Sequence, residues 1–341
     1  MDSIHSADKA RARRAALVMG ILGLLILVVF IISMNSGEIK LGPLQVIKTL
    51  FGFGDARQSL VLFEFRLPRI VIAILIGACF AVSGCIMQGI TRNALADPGI
   101  LGINAGAGLA VVLYVSFFPV KTAASPFLMP FLAFIGAALT ALLIYLLAYK
   151  RHQGLSPTRM LLVGIGVAAG ISAAMIVLTI LLDPNQFQFV QVWLAGTIWG
   201  TTWKFVLALL PWFIVLIPFA FSKAKVMNIL TLGEQTATGL GAPVERQRLL
   251  LLAAAVGLAA SSVAVGGGIG FVGLVAPHLA RRLVGPQYQY ALPASALVGG
   301  LLVIVADTIG RTISSPSEIA TGIVVAVIGA PYFLYLLARA R

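Results

Sequence analysis

Apolar runs long enough to cross a bilayer recur along this chain from one end to the other. A helix spanning the hydrocarbon core needs about 20 apolar residues at about 1.5 Å of rise each. Runs of that order occupy residues 15–34, 70–87, 99–120, 126–149, 160–182, 205–221, 249–268, 291–309 and 319–338, and a shorter one covers 269–280. No soluble core absorbs so much continuous apolar sequence. Of the 341 residues 60% are hydrophobic and 10% charged, whereas a soluble domain carries about 25% charged residues. The expectation is an all-α polytopic membrane protein of ten transmembrane helices, forming one domain over residues 1–341.

Charge placement orients those helices. The net charge of +13 sits at the ends of apolar runs, which suits anchoring in lipid and argues against a nucleic-acid partner. With the N-terminus inside and ten crossings, eight basic residues lie outside: Lys40, Lys48, Arg57, Arg66, Arg69, Lys121, Lys204 and Arg311. The other sixteen of the 24 lie inside, a bias that favours N-in and C-in. Omitting the short run would place Arg281 and Arg282 outside and weaken the bias. Residues 1–14 are then a basic cytoplasmic N-terminus, and 222–248 a cytoplasmic loop.

Between the fifth and sixth runs, Trp193, Trp199 and Trp203 cluster, and indoles favour the headgroup zone. A short or re-entrant helix at the outer interface is expected there, with a similar external piece at 42–51. Glycines four apart, at Gly102/Gly106, Gly166/Gly170 and Gly266/Gly270, allow close helix approach in lipid. Cys79 and Cys85 lie about 9 Å apart along one helix, too far for an ordinary disulfide.

The stretch "VGGGIGFVGLVAPH", Val265 to His278, carries the Gly268-x-Gly270-x-x-Gly273 spacing of a dinucleotide cradle. That reading fails. Such a cradle follows a strand and is answered by an acid about 20 residues on, whereas here a helix-length run precedes and the next acid is Asp307. The alternative is a tight outer turn around Gly266, Gly268 and Gly270 that leads, through Gly273 and Pro277, into a short helix enclosed by protein.

No catalytic set emerges. There is no P-loop, no HExxH and no clustered Cys/His metal site; His5, His152 and His278 are scattered. The acids Glu64, Asp97, Asp183, Glu234, Glu245, Asp307 and Glu318 fall near run ends. Ion-coupled carriers place carboxylates at mid-membrane, so a secondary carrier is the weaker reading and a membrane enzyme weaker still. No metal or cofactor is expected on this chain.

"RLPR" (Arg66–Arg69), "GACFAVSGCIMQGITRNALADPGILGINAGAG", "SPTRMLLVGI", "TLGEQTATGLG", "GGGIGFVGLVAPHLARRLVG", "ADTIGR" and "GIVVAVIGAPYFLYLL" together resemble the permease subunits of ABC importers for iron–siderophore complexes, haem and cobalamin. The resemblance runs through nearly the whole chain in order. It implies the type II importer permease fold with ten helices per subunit in the cell membrane. It also implies a second permease, identical or paralogous, and an extracytoplasmic substrate-binding protein. Two ABC ATPase subunits would bind the ATP and Mg. Iron–siderophore is the first substrate choice, with haem and cobalamin as alternatives.

Residue by residue, Arg66, Arg69 and Arg311 match positions that meet acids of the binding protein. Interfacial snorkelling, or for Arg311 a helical pair with Asp307, competes with that role. Leu232, Gly233, Glu234, Ala237, Leu240 and Gly241 match the ATPase-coupling element, where the glycines are suited to bound a short helix; a plain solvated loop is the alternative. Ser156, Pro157 and Thr158 match the cytoplasmic gate, although a helix-start proline is equally expected for structure alone. Pro157, Ala94 and the Ile319-Ala320 pair depart from common family residues at their positions.

Overall fold

The computed structural model describes residues 2–36, 42–118, 127–150, 154–313 and 317–339. Lys40, Lys121, Arg151 and Arg341, used above for orientation, and His152 lie outside them. The chain is helical nearly throughout. The long helix α1 (Asp2–Asn35) is followed by the short α2 (Pro43–Leu50) and α3 (Ala56–Ser59), then by a π-helical stretch, Leu60–Arg66, that runs directly into α4 (Leu67–Thr91). A 3-10 turn (Pro98–Leu101) leads into α5 (Ile103–Phe117), and α6 (Leu128–Ala148) follows. Two two-residue strands, Tyr149–Lys150 and Gly154–Leu155, pair antiparallel before α7 (Pro157–Ile180).

Next come α8 (Pro184–Leu194), α9 (Trp203–Ser222), α10 (Ala224–Thr231), α11 (Glu234–Gly239), α12 (Val244–Gly266), α13 (Val272–Val284), α14 (Tyr288–Ile313) and α15 (Thr321–Arg339). Seven helical stretches among the described residues are long and apolar enough to cross a membrane, and α5 and α15 are shorter apolar helices. The chain is a multi-pass membrane protein. The short run at 269–280 forms α13, whose 13 residues span about 20 Å.

Helix α4 is the axis of the bundle, buried along most of its length and packed against α14, α12, α13 and α9. Glycines set how closely its neighbours come. A Cβ added at Gly77 would lie 2.2 Å from the Gly299 carbonyl oxygen, and one at Gly299 would lie 2.2 Å from that of Gly77. One added at Gly84 would lie 1.9 Å from the Gly273 oxygen, so α4 and α13 touch backbone to backbone. Gly106 meets the Gly136 oxygen at 2.5 Å in the same way, between α5 and α6. Gly166 and Gly170 behave differently, because nothing lies within 4 Å of their added Cβ atoms. They sit on α7, few of whose residues are fully buried within this chain.

The tryptophan-rich connector begins with α8, opened by Asp183, which accepts a 2.9 Å hydrogen bond from the Gln186 backbone N–H while Gln186 reaches back; this is a capping box. Its tryptophans take different places: Trp193 is buried, Trp199 is exposed, and Trp203 Nε1 donates to the Phe63 carbonyl at 2.8 Å. Both cysteines are buried and unpaired.

Candidate functional site

At the end of the bundle that carries α8, the three arginines singled out by the sequence come together, and all three are buried. The π-helical stretch ends on Arg66, three residues before Arg69; such wide turns recur at functional positions because they re-aim the side chains that follow. Arg69 donates to Asp307 through Nε at 3.0 Å and Nη2 at 2.8 Å. Its Nη1 lies 2.8 Å from Glu318 Oε2. Arg311 Nε stands 3.3 Å from Asp307 Oδ2 as a Coulombic contact without hydrogen-bond geometry. Thr321 Oγ1 completes the carboxylate, donating at 3.2 Å.

The same arginines hold the end of α1. Arg66 Nη1 donates to the Met34 carbonyl, and Arg311 Nη2 donates to the Ser33 hydroxyl and, at 3.3 Å, to its carbonyl. The last carbonyls of a helix lack internal partners and carry partial negative charge, so cations are stabilising there. One cluster thus fastens α1, α4, α14 and α15 at one level. Arg69 and Arg311 share the Asp307 carboxylate, and Arg69 also holds Glu318.

Sequence reasoning placed Asp307 near a run end, but it sits six residues inside α14 with its side chain fully buried. Its i,i+4 relation to Arg311 was legible. The pairing of Arg69 across 238 positions left no local trace. Glu318, less deeply buried, also lines an open cleft of about 640 Å³ with Gln191, Thr197, Trp199 and Ile323.

At the other end, Gly233 caps the start of α11 with φ +109°, and Gly241 follows its C-cap, Leu240, with φ +79°. Both conformations favour glycine. The six-residue helix anchors itself through buried Ala237, and Glu234 pairs with Arg248 at 3.3 Å. Leu232 and Leu240 stand exposed on either side of it. Ser156 occupies the N-cap of α7 without a side-chain hydrogen bond, and Pro157 is its first helical residue. Thr158 lines a cavity of about 270 Å³ with Met87, Thr91, Asn93, Ala96 and Met160.

Around the glycine turn, a Cβ on Gly268 would lie 2.6 Å from the Leu194 carbonyl oxygen, and one on Gly266 2.7 Å from Ile76. A Cβ on Gly273 would lie 2.7 Å from Pro98 and 2.9 Å from the Asp97 carboxylate, a group that burial pushes up to about 6. Pro277 is buried inside α13. Gly270 carries no such constraint, since its added Cβ meets nothing within 4 Å among the described residues; a larger side chain is therefore resisted at Gly268 and accommodated at Gly270. Gly268→Ala is expected to cost about 1–3 kcal/mol and Gly270→Ala no more than about 0.5 kcal/mol. Thermal unfolding in detergent reads the difference, and equal midpoints for the two variants would contradict the packing described.

The described residues thus form a multi-pass helical bundle with a buried charge cluster at one end and a short helix flanked by exposed leucines at the other. Residues 25–339 match the FecCD transport family, and the chain belongs to it. It is 50% identical over 337 residues to the iron(3+)-hydroxamate import system permease protein FhuG of Bacillus subtilis (strain 168), covering 98% of this chain and 100% of that one. It is 39% identical over 314 residues to the Fe(3+) dicitrate transport system permease protein FecD of Escherichia coli (strain K12), covering 91% and 95%. Among solved structures it resembles an inward-facing metal-chelate type ABC transporter with a TM-score of 0.84 and 30% identity, over 95% of this chain and 99% of that one.

Proposed function

We propose that this chain is the membrane permease of an ABC importer that moves an iron(III)–siderophore complex into the cytoplasm. The observation that carries this reading is its end-to-end similarity to a hydroxamate-iron permease, supported by its likeness to a metal-chelate transporter. In this reading the seven long spans, with α5, α13 and α15, make ten crossings of the cell membrane, N-in and C-in. A second permease, identical or paralogous, completes the pathway. Two ABC ATPases hold the ATP and Mg and drive transport, and this chain supplies no nucleotide site of its own.

The arginine cluster receives the binding protein. Buried arginines already paired with Asp307 make poor free anchors, but the partly exposed Glu318 leaves one edge of the Arg69 guanidinium open to exchange. An incoming carboxylate replaces Glu318 on Arg69 Nη1, a bidentate-capable and charge-assisted contact, and the opposed charges set the docking register. The segment at Ser156–Thr158 serves as the cytoplasmic gate beside its cavity.

The α11 region docks on the ATPases, with exposed Leu232 and Leu240 as apolar anchors and Glu234 and Gly241 maintaining its shape. Both leucines are exposed in the isolated chain, so changing them to serine leaves its fold intact. The double variant Leu232→Ser/Leu240→Ser is expected to lose ATPase co-purification and chelate uptake without lowering the unfolding temperature. Retained uptake would contradict the coupling role. For the importer reading itself, tagged chain isolated from its native membrane should bring a P-loop ATPase with it, and its recovery without any such subunit would argue against that reading.

A further inference from the structure

Two adjoining cavities lie along the side of the bundle where α6 and α9 flank α12. The larger, about 480 Å³, lies against α8 and the connector to α9; the smaller, about 210 Å³, lies between α6 and α9. They share Pro130, Ala264 and Val265 as walls. Polarity changes along the groove. Asn185, Gln188, Thr197 and Thr201 stand at the α8 end, whereas the α6–α9 end is walled by Phe131, Phe134, Ala208 and Trp212. The Phe134 and Trp212 rings, both in that wall, lie 4.7 Å apart.

The groove opens sideways onto surface that is apolar on both flanks. Phe131 and Leu139 are exposed on α6, and Leu207 and Ile214 on α9. At the polar end, Lys204 is exposed on the first turn of α9, next to Phe205, which lines the larger cavity. An apolar slot with a rim of amides and hydroxyls, and an exposed lysine one residue from its lining, suits the chemistry of an anionic phospholipid: phosphate, glycerol esters, then hydrocarbon. Sites of this size and mixed lining hold small amphiphiles, and a lysine near the membrane surface attracts anionic headgroups.

We propose that this groove is a specific site for one anionic phospholipid from the leaflet at the α8 end. One acyl chain lies between α6 and α9, and the phosphate is held at Lys204. Asn185 and Gln188 hydrogen-bond the glycerol ester region, where an ester carbonyl accepts from their amide N–H groups. The inference rests on the placement of the chain in a membrane and not on its cargo, so the two readings fail separately. Because α8 and the connector after it also wall the cleft that Glu318 lines, through Val192, Thr197 and Trp199, an occupied groove would brace the wall between them.

The test uses the assembled transporter, purified in mild detergent and titrated with phosphatidylglycerol or phosphatidylcholine under native mass spectrometry. The expected result is one retained phosphatidylglycerol per copy of this chain. Ala208→Phe, which fills the α6–α9 end of the groove, is expected to weaken retention about tenfold, equivalent to about 1.4 kcal/mol. Lys204→Gln is expected to remove the preference for phosphatidylglycerol while leaving chain occupancy in place. Should Ala208→Phe fold poorly, brominated phosphatidylglycerol provides a second reading: it should quench the fluorescence component that Trp212→Phe removes. Equal retention in the wild type and both variants, or no quenching of that component, would overturn the proposal. So would crosslinks showing that the second permease covers the groove.

Discussion

Asp307→Ala is expected to cost about 3–5 kcal/mol, the range for removing one partner of a buried ion pair. Asp307 is the shared counter-ion of Arg69 and Arg311, and its carboxylate also accepts from Thr321. Without it, two guanidinium groups are left in a buried site with one partly exposed acid. The fastening of α1, α4, α14 and α15 at that level loosens together, because all four helices share the cluster. Fluorescence-detected size exclusion after a heating series should show most of the variant lost well below the wild-type midpoint. An unchanged midpoint would contradict the account of the cluster. Glu318→Gln is the informative contrast: the pair is partly solvated, so its loss should cost no more than about 1 kcal/mol. By freeing Arg69 it should tighten capture of the binding protein.

Gly84→Ala is expected to be comparably severe although only a methyl group is added. The new Cβ would fall 1.9 Å from the Gly273 oxygen and 2.5 Å from its Cα, and both are backbone atoms that cannot rotate away. Overpacking in a core usually costs about 1–3 kcal/mol, and a clash that must separate two helix backbones belongs at or above the top of that range. Folded yield and transport should fall together. Gly166→Ala and Gly170→Ala provide the control, because their added methyl groups meet nothing in this chain. These two should leave the isolated subunit intact, and any loss of transport would then arise from contacts outside it. Normal yield of the Gly84 variant would contradict the close α4–α13 crossing.

The parts of the fold legible in sequence were those with local causes. Apolar length located the long helices, and charge at the run ends made α13 an element in its own right rather than a loop. The glycines Gly233 and Gly241 announced the short helix between them because positive φ is a local demand. Other features depend on distant partners. Gly166/Gly170 and Gly102/Gly106 have the same spacing, yet only the latter pair meets a neighbour closely, since spacing does not say which face a helix presents to its own chain. The arginines were found by resemblance, but their burial and their pairing with Asp307 and Glu318 depend on α4, α14 and α15 meeting at one level. The burial of Trp193, unlike that of its exposed neighbour Trp199, depends on where α8 packs against α5, a contact that indole clustering alone does not announce.

The central claim, that this permease serves iron(III)–siderophore import, is tested most directly by uptake of radio-iron chelates in cells lacking this chain alone. The panel should contain hydroxamate, catecholate and citrate complexes, with haem and cobalamin alongside. The account predicts that uptake of at least one iron(III) chelate, a hydroxamate first, falls to background and returns when the chain is restored. Undiminished uptake of every iron chelate, with or without loss of haem or cobalamin uptake, would contradict it.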